Sequence, residues 1–315
     1  MLERRKQIGK ALAIGEKIGF NTRRKTERMT AAILFAFASA TFLGAGVVTS
    51  QLGLRTMEPL AGAAVSTPTF ALLFLLLSPV LLAGEPVVWR GLWIFATIGL
   101  FFPASLTLLA FASNRALGPV ITSTLSNLAP LFSVALAVVL LHEPLRATQA
   151  AGLLIAVIGA VIISVTRPRD LGHWRTLALL LPLAAAFVRG VIPPIVKLGL
   201  EVWPSPLWAC FIGYVMSSLV VLAVQRVRQG TFLTKAPASG QLWFAITGIT
   251  NGLATLSMFA AVRHGPITLV APIVAVYPIV TVLLSAVMLK HVAITPRIVG
   301  GTVLTVAGVA LVLAG

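Results

Sequence analysis

The sequence predicts an all-α polytopic membrane protein, ten transmembrane helices arranged as two inverted five-helix repeats. Three observations carry that prediction. Of 315 residues, 58% are hydrophobic and only 10% are charged, with a mean hydropathy of +1.00. A soluble domain has about 45–50% apolar and about 25% charged residues; so little polar surface could not cover so large an apolar content. Apolar runs of about 20 residues, the length a helix needs to cross a bilayer, recur with short connections between them. Finally, pieces of the chain repeat in order at a nearly constant offset.

The elements follow in order. Residues 1–28 form a basic tail holding nine of the 24 Lys and Arg residues. Ile8, Leu12, Ile14 and Ile18 partly share a helical face, with Lys6, Lys10 and Lys17 among them. The tail therefore reads either as an amphipathic helix on the membrane surface or as a mobile segment. Met29 is an alternative start. Residues 31–40, ending in Ala38-Ser39-Ala40, are an alternative signal peptide, although cleavage there would destroy half of a repeat. The first repeat, 29–166, contains spans at 30–50, 60–83, 91–113, 117–141 and 147–166. A linker, 167–175, precedes the second repeat, 176–315, with spans at 176–199, 205–225, 241–262, 266–289 and 294–314. The six tryptophans, at 89, 93, 174, 203, 208 and 243, fall near the expected helix ends, where aromatic belts form. The single cysteine, Cys210, allows no internal disulfide.

The repeat decides the architecture. Gln51-Leu52-Gly53-Leu54 matches Lys197-Leu198-Gly199-Leu200 at an offset of 146, which also pairs Gly44 with Gly190. Gly118-Pro119-Val120 matches Gly265-Pro266-Ile267 at 147, and Pro130 and Gly152 match Pro278 and Gly300 at 148. Five spans per copy is an odd number, so the second copy enters the membrane from the opposite side. Such inverted repeats are common in secondary transporters, with the substrate site near the midplane between them.

The segment from Gly118 to Gly159, with Pro130, Leu141-His142-Glu143-Pro144-Leu145 and Gly152, resembles the C-terminal signature of an EamA domain. Two such domains in tandem resemble the drug/metabolite transporter superfamily. That resemblance covers residues 30–314 and implies ten helices and export or exchange of small metabolites, amino acids or toxic compounds. The second copy carries His291 where the first has Glu143.

The formal charge of +16 is not a nucleic-acid footprint, because most basic residues outside the tail sit between apolar runs. In a membrane protein these are anchors and topology signals. With the N-terminus inside, the tail and inner connections carry thirteen basic residues against ten in the outer connections, Arg189 being left out as intramembrane. The basic tail and the resemblance both place the N- and C-termini in the cytoplasm. The compact, Arg-rich composition fits a bacterial inner membrane.

None of the eight acidic residues lies deep in an expected span. One basic residue does: Arg189 stands midway along the sixth, its repeat counterpart being Leu43. A central Arg costs roughly 2.5–3.5 kcal/mol on insertion scales, so it should face a cavity, freed carbonyls or an anionic ligand. Gly190 and Pro193-Pro194 follow, and these prolines remove backbone donors and are expected to disturb the helix. Pro130 and Pro278 are expected to do the same in the fourth and ninth helices. Asn127, Tyr277, Asn251 and Thr250 are midplane polar groups that could orient a ligand or join helices. Glu143 is expected at the interface, pairing with Arg146 or serving as a gate. The spacing Gly152-xxx-Ala156-xxx-Ala160 is a packing surface that admits a homodimer without requiring one.

Enzyme chemistry is not expected. His142, His173, His264 and His291 sit near helix ends without a His-Glu-x-x-His pattern, and no nucleophile elbow or phosphate loop is present. No cofactor or metal is expected either. The reading is a secondary transporter that exports or exchanges an anionic or zwitterionic, amino-acid-like solute by alternating access. A non-transporting membrane scaffold or sensor and a lipid-linked sugar flippase are the alternatives. The expected partners are the solute and the lipid bilayer.

Overall fold

The computed structural model describes residues 2–102, 104–106, 109, 113, 125–164, 179–232, 236–288 and 295–315, with side chains from residue 26 onward. All its regular elements are helices: α1 (Leu2–Gly53), α2 (Pro59–Leu81), α3 (Trp89–Phe101), α4 (Ala129–Leu141), α5 (Ala147–Ser164), α6 (Leu180–Val202), α7 (Pro206–Gln229), α8 (Ala238–His264), α9 (Ile267–Val274), α10 (Tyr277–Met288) and α11 (Pro296–Ala314). The linker 167–175, the expected start of the fourth span and His291 lie outside the described residues. Among the described residues, eight segments are long and apolar enough to cross a membrane, α9 and α10 counting as one, and α4 and α5 are shorter apolar helices.

Several boundaries differ from the sequence reading. The basic tail is not set apart as its own element: α1 runs unbroken from Leu2 into the first span. The expected ninth span is broken in two at Ala275-Val276, and a matching turn at Asn127-Leu128 precedes α4. The cause is the same in both. Pro278 and Pro130 cannot donate to the carbonyls four residues back, those of Val274 and Ser126, and their rings crowd those oxygens. The two turns are related by the 148-residue offset of the repeat. Pro193 and Pro194 do not break α6, which continues through both. They leave the carbonyls of Arg189 and Gly190 without their usual helical donors.

Helix packing follows the repeat. α1 packs on α8 while α3 packs on α6; α4 packs on α6 while α9 and α10 pack on α1; α2 meets α8 as α3 meets α7. The pairs α2–α7, α5–α11 and α4–α9 join like elements of the two copies. A Cβ at Gly190 would lie 2.6 Å from Phe132 Cβ and 2.8 Å from the Ala129 carbonyl oxygen. A Cβ at Gly44 would lie 2.7 Å from Val280 Cβ and 2.9 Å from the Tyr277 carbonyl oxygen. Residues 129 and 132 correspond to 277 and 280 at the same offset of 148, so the two contacts are one contact made twice. In lipid, such close backbone approach through small residues replaces the hydrophobic drive of a soluble core.

The small residues of α5 serve the same purpose inside the chain. A Cβ at Gly152 would meet the Gly308 carbonyl at 2.6 Å, and one at Gly159 the Gly301 carbonyl at 2.6 Å. The surface noted in the sequence is thus covered by α11.

Gly265 touches both Ala32 near the start of the apolar part of α1 and Lys197 near the end of α6. The first helices of the two copies therefore run in opposite directions. We call the end of the bundle that holds Ala32, Lys197 and Gly265 the first face, and the end that holds Gly53, Gly62 and Phe244, which pack together, the second.

Candidate functional site

A cavity of about 390 Å³ lies between α1, α2, α6, α7, α8 and α9, with Phe102 and Leu106, just beyond α3, on its wall. That volume is within the ordinary range for small-molecule sites, about 300–1,000 Å³. Much of its wall is apolar, with Phe102, Phe259 and Met258 among the large side chains. A scatter of hydroxyls supplies the polar part. Ser39 Oγ donates to the Ala254 carbonyl (2.8 Å), Ser50 Oγ to the Val47 carbonyl (2.8 Å) and Thr255 Oγ1 to the Asn251 carbonyl (2.9 Å). These bonds use the hydroxyl protons and leave oxygen lone pairs able to accept. Tyr214 adds its hydroxyl, 3.2 Å from Thr255 Oγ1, and its ring packs edge-on against Phe70 with centroids 4.7 Å apart.

Arg189 is the one charged residue on this wall among the described residues. It is half-buried, and it also lines a second, smaller cavity of about 60 Å³ with Asn127, Pro130, Ser133 and Tyr277. Among the described residues, no Asp or Glu lines either cavity. The guanidinium lies close enough to the Tyr277 hydroxyl to interact with it electrostatically. That hydroxyl donates to Asn127 Oδ1 (2.5 Å), and Asn127 Nδ2 donates to the Ala160 carbonyl (3.3 Å). A polar chain thus runs from α6 through α10 and the turn before α4 to α5. Guanidinium carries five N–H donors, more than one phenol oxygen can accept, so the group can hold Tyr277 and an anionic ligand together. In a cavity with low-dielectric walls, a cation with no acid beside it concentrates anions.

The structure brings Arg189, Tyr277 and Asn127 together and puts Asn251 on the larger cavity's wall. Gly46 makes room for Asn251: a Cβ there would stand only 2.1 Å from Asn251 Oδ1. Thr250 is not on either wall; its hydroxyl bonds back to the Ile246 and Thr247 carbonyls (3.0 and 3.1 Å). Pro193 lines both cavities, while Gly190 packs against α4. Tyr214, Thr255 and Ser39 are site residues the sequence reading missed. One signal was available: the chain has two tyrosines, both inside apolar spans, and both face a cavity.

Glu143 is placed differently from the expectation. It does not pair with Arg146, whose guanidinium reaches the Gly315 carbonyl instead. His142, in left-handed conformation at φ 52°, turns the chain back at the end of α4 and aims Glu143 inward. The carboxylate is 8% exposed, with Oε1 2.6 Å from Lys197 Nζ and Oε2 accepting from the Thr268 amide at 3.0 Å. Lys197 Nζ also donates to the Gly265 carbonyl (3.0 Å). Lys197 belongs to α6, which runs on to Val202.

No curated protein matches the chain significantly. A solved crystal structure is similar, with a TM-score of 0.76 at 18% identity, over 90% of this chain and 96% of the other; at that identity the likeness concerns the fold alone. Models of the EamA-like transporter family match residues 30–165 and again 176–314, which is most of the chain, so the protein belongs to that family.

Proposed function

We propose that this membrane transporter carries a small anionic or zwitterionic organic solute, amino-acid-like in size, through ten transmembrane helices built as two inverted five-helix repeats. The observation that carries the reading is Arg189, a cation on the wall of a cavity of about 390 Å³ that no carboxylate of the described residues lines. Arg189 holds the solute's acid group; Asn251, Tyr214 and Thr255 offer oxygens and amide donors to the rest of the molecule, and Phe102 and Phe259 its apolar contacts. Asn127 and Tyr277 hold the guanidinium in place. Exchange or facilitated export fits this site better than proton antiport on a cavity carboxylate.

The matched packing of the two copies supports alternating access, with the copies rocking across the cavity. Both chain ends of the apolar bundle, Ala32 and the Arg146-bound Gly315, lie at the first face. The basic tail assigns that face to the cytoplasm, in a bacterial inner membrane.

The test is a thermal-stability screen of purified protein against small carboxylates, amino acids, amines and neutral metabolites, beside Arg189→Ala. A ligand that binds only the folded state raises the midpoint, by about 2.7 kcal/mol of stability at a hundred times its Kd. Acids or amino acids are expected to stabilise the parent and not the variant, and to exchange across proteoliposomes. If amines or neutral compounds stabilise both proteins equally, Arg189 is not a solute contact and the substrate class is wrong.

A further inference from the structure

We infer that Glu143 and Lys197 form a one-sided gate that holds the cavity shut at the first face. The inference rests on the transport reading above, because a gate has meaning only where access alternates. Glu143 belongs to the first copy, while its partners, Lys197 and the Thr268 amide, belong to the second. Rocking of the two copies must therefore break or re-form both bonds together.

The arrangement is strong for its size. One carboxylate meets an ammonium and also one of the first-turn amides of α9, which have no partner within their own helix and sit at its positive end. Lys197 is tied a second time, to the Gly265 carbonyl just before α9. Ala271, a few residues further along α9, lines the smaller cavity that Arg189 shares. The ion pair thus stands at the first face, directly beyond the residues that hold the guanidinium.

The repeat supplies no equivalent pair. Under the repeat offsets, Lys197 corresponds to Gln51 and Glu143 to His291. A glutamine and a histidine carry no carboxylate to bind an amide and an ammonium together. A rocking carrier built from two similar halves would otherwise close equally well at either end. Here the repeat does not duplicate the Glu143–Lys197 pair, so the state closed at the first face is favoured over its mirror.

The experiment reads access directly. Ala271→Cys in a Cys210→Ser background provides a single thiol on the smaller cavity's wall, inward of the gate, attacked by a membrane-impermeant methanethiosulfonate applied from the first face in oriented vesicles. Labelling is expected to be slow in this parent and to rise about ten- to a hundredfold with Glu143→Gln or Lys197→Met, the factor set by losing a hydrogen bond to a charged group. Should a single variant fold poorly through its orphaned charge, the double variant Glu143→Gln/Lys197→Met leaves no orphan and is expected to label as fast. Labelling within twofold of the parent in the folded variants overturns the gate and leaves a structural ion pair. The readout needs no solute. Faster labelling with no solute flux in the parent supports the gate while refuting the solute assignment. Arg189-dependent flux with unchanged labelling refutes the gate alone.

Discussion

The paired glycine contacts offer a quantitative check of how closely the two copies pack. Consider Gly190→Ala and Gly44→Ala beside Gly300→Ala. The first two place a methyl group 2.6–2.9 Å from neighbours that include backbone carbonyl oxygens, which cannot swing aside. At Gly300, in α11, nothing lies within 4 Å of the added methyl. All three gain the same helix propensity, about 1 kcal/mol. The difference between them is therefore the overpacking cost, about 1–3 kcal/mol. At roughly 2–4 °C per kcal/mol for chains of 150–250 residues, Gly190→Ala should melt several degrees below Gly300→Ala, with Gly44→Ala close to Gly190→Ala. The molecule supplies its own probe. Cys210 is the only cysteine and is 0% exposed, so a fluorogenic maleimide reports its release on heating in detergent. Equal midpoints for all three variants would refute the close approach of α6 to α4 and of α1 to α10.

Other outcomes follow from single contacts. Tyr277→Phe removes the 2.5 Å bond to Asn127 and should cost about 0.6 kcal/mol, and up to about 1.7, by analogy with interhelical bonds in membranes; a double-mutant cycle with Asn127→Ala in the same melt measures it. Ser205 caps α7, accepting from the Trp208 amide while its hydroxyl donates to Glu85. Ser205→Ala should cost about 0.5–2 kcal/mol, read by the same melt. Ser133 Oγ, in a residue 3% exposed, has no hydrogen-bond partner among the described residues, so Ser133→Ala should leave the midpoint unchanged or raise it; a loss above about 1 kcal/mol would show an essential partner for that hydroxyl. Arg189→Lys keeps the charge but loses the planar fork that matches a carboxylate, and should weaken acid binding in a titration while leaving selectivity against amines intact.

Much of this was legible in the sequence, for definite physical reasons. Apolar runs of bilayer length fix where helices lie, and the offsets that paired Gly44 with Gly190 and Pro130 with Pro278 anticipated two packing contacts and two helix turns. Arg189 stood out because a charge amid apolar residues must have an environment built for it. Asn127 and Tyr277 are 150 positions apart, and nothing along the chain says that their side chains touch. Glu143 was assigned to Arg146 because both are close in sequence; its true partner, Lys197, arrives through folding of the second copy. The continuity of α6 through Pro193-Pro194 depends on neighbours that hold the helix in line, which propensity does not see. Serine and threonine in membrane helices mostly bond to their own backbone, so the sequence could not separate Thr250, which does only that, from Thr255, which also faces the cavity.

The cavity's cation, with no carboxylate among the described residues that line it, has an electrical consequence. On the proposed reading, the empty carrier holds the Arg189 charge in its cavity, and a bound monoanion neutralises it. Carrying a full charge across the membrane is worth about 2.3 kcal/mol per 100 mV, so voltage acts on the reorientation of the empty form and spares the loaded one. Return without cargo is then the voltage-sensitive half of the cycle. Exchange of one anion for another avoids that half, and its rate should stay flat across an imposed potential while net export responds to it.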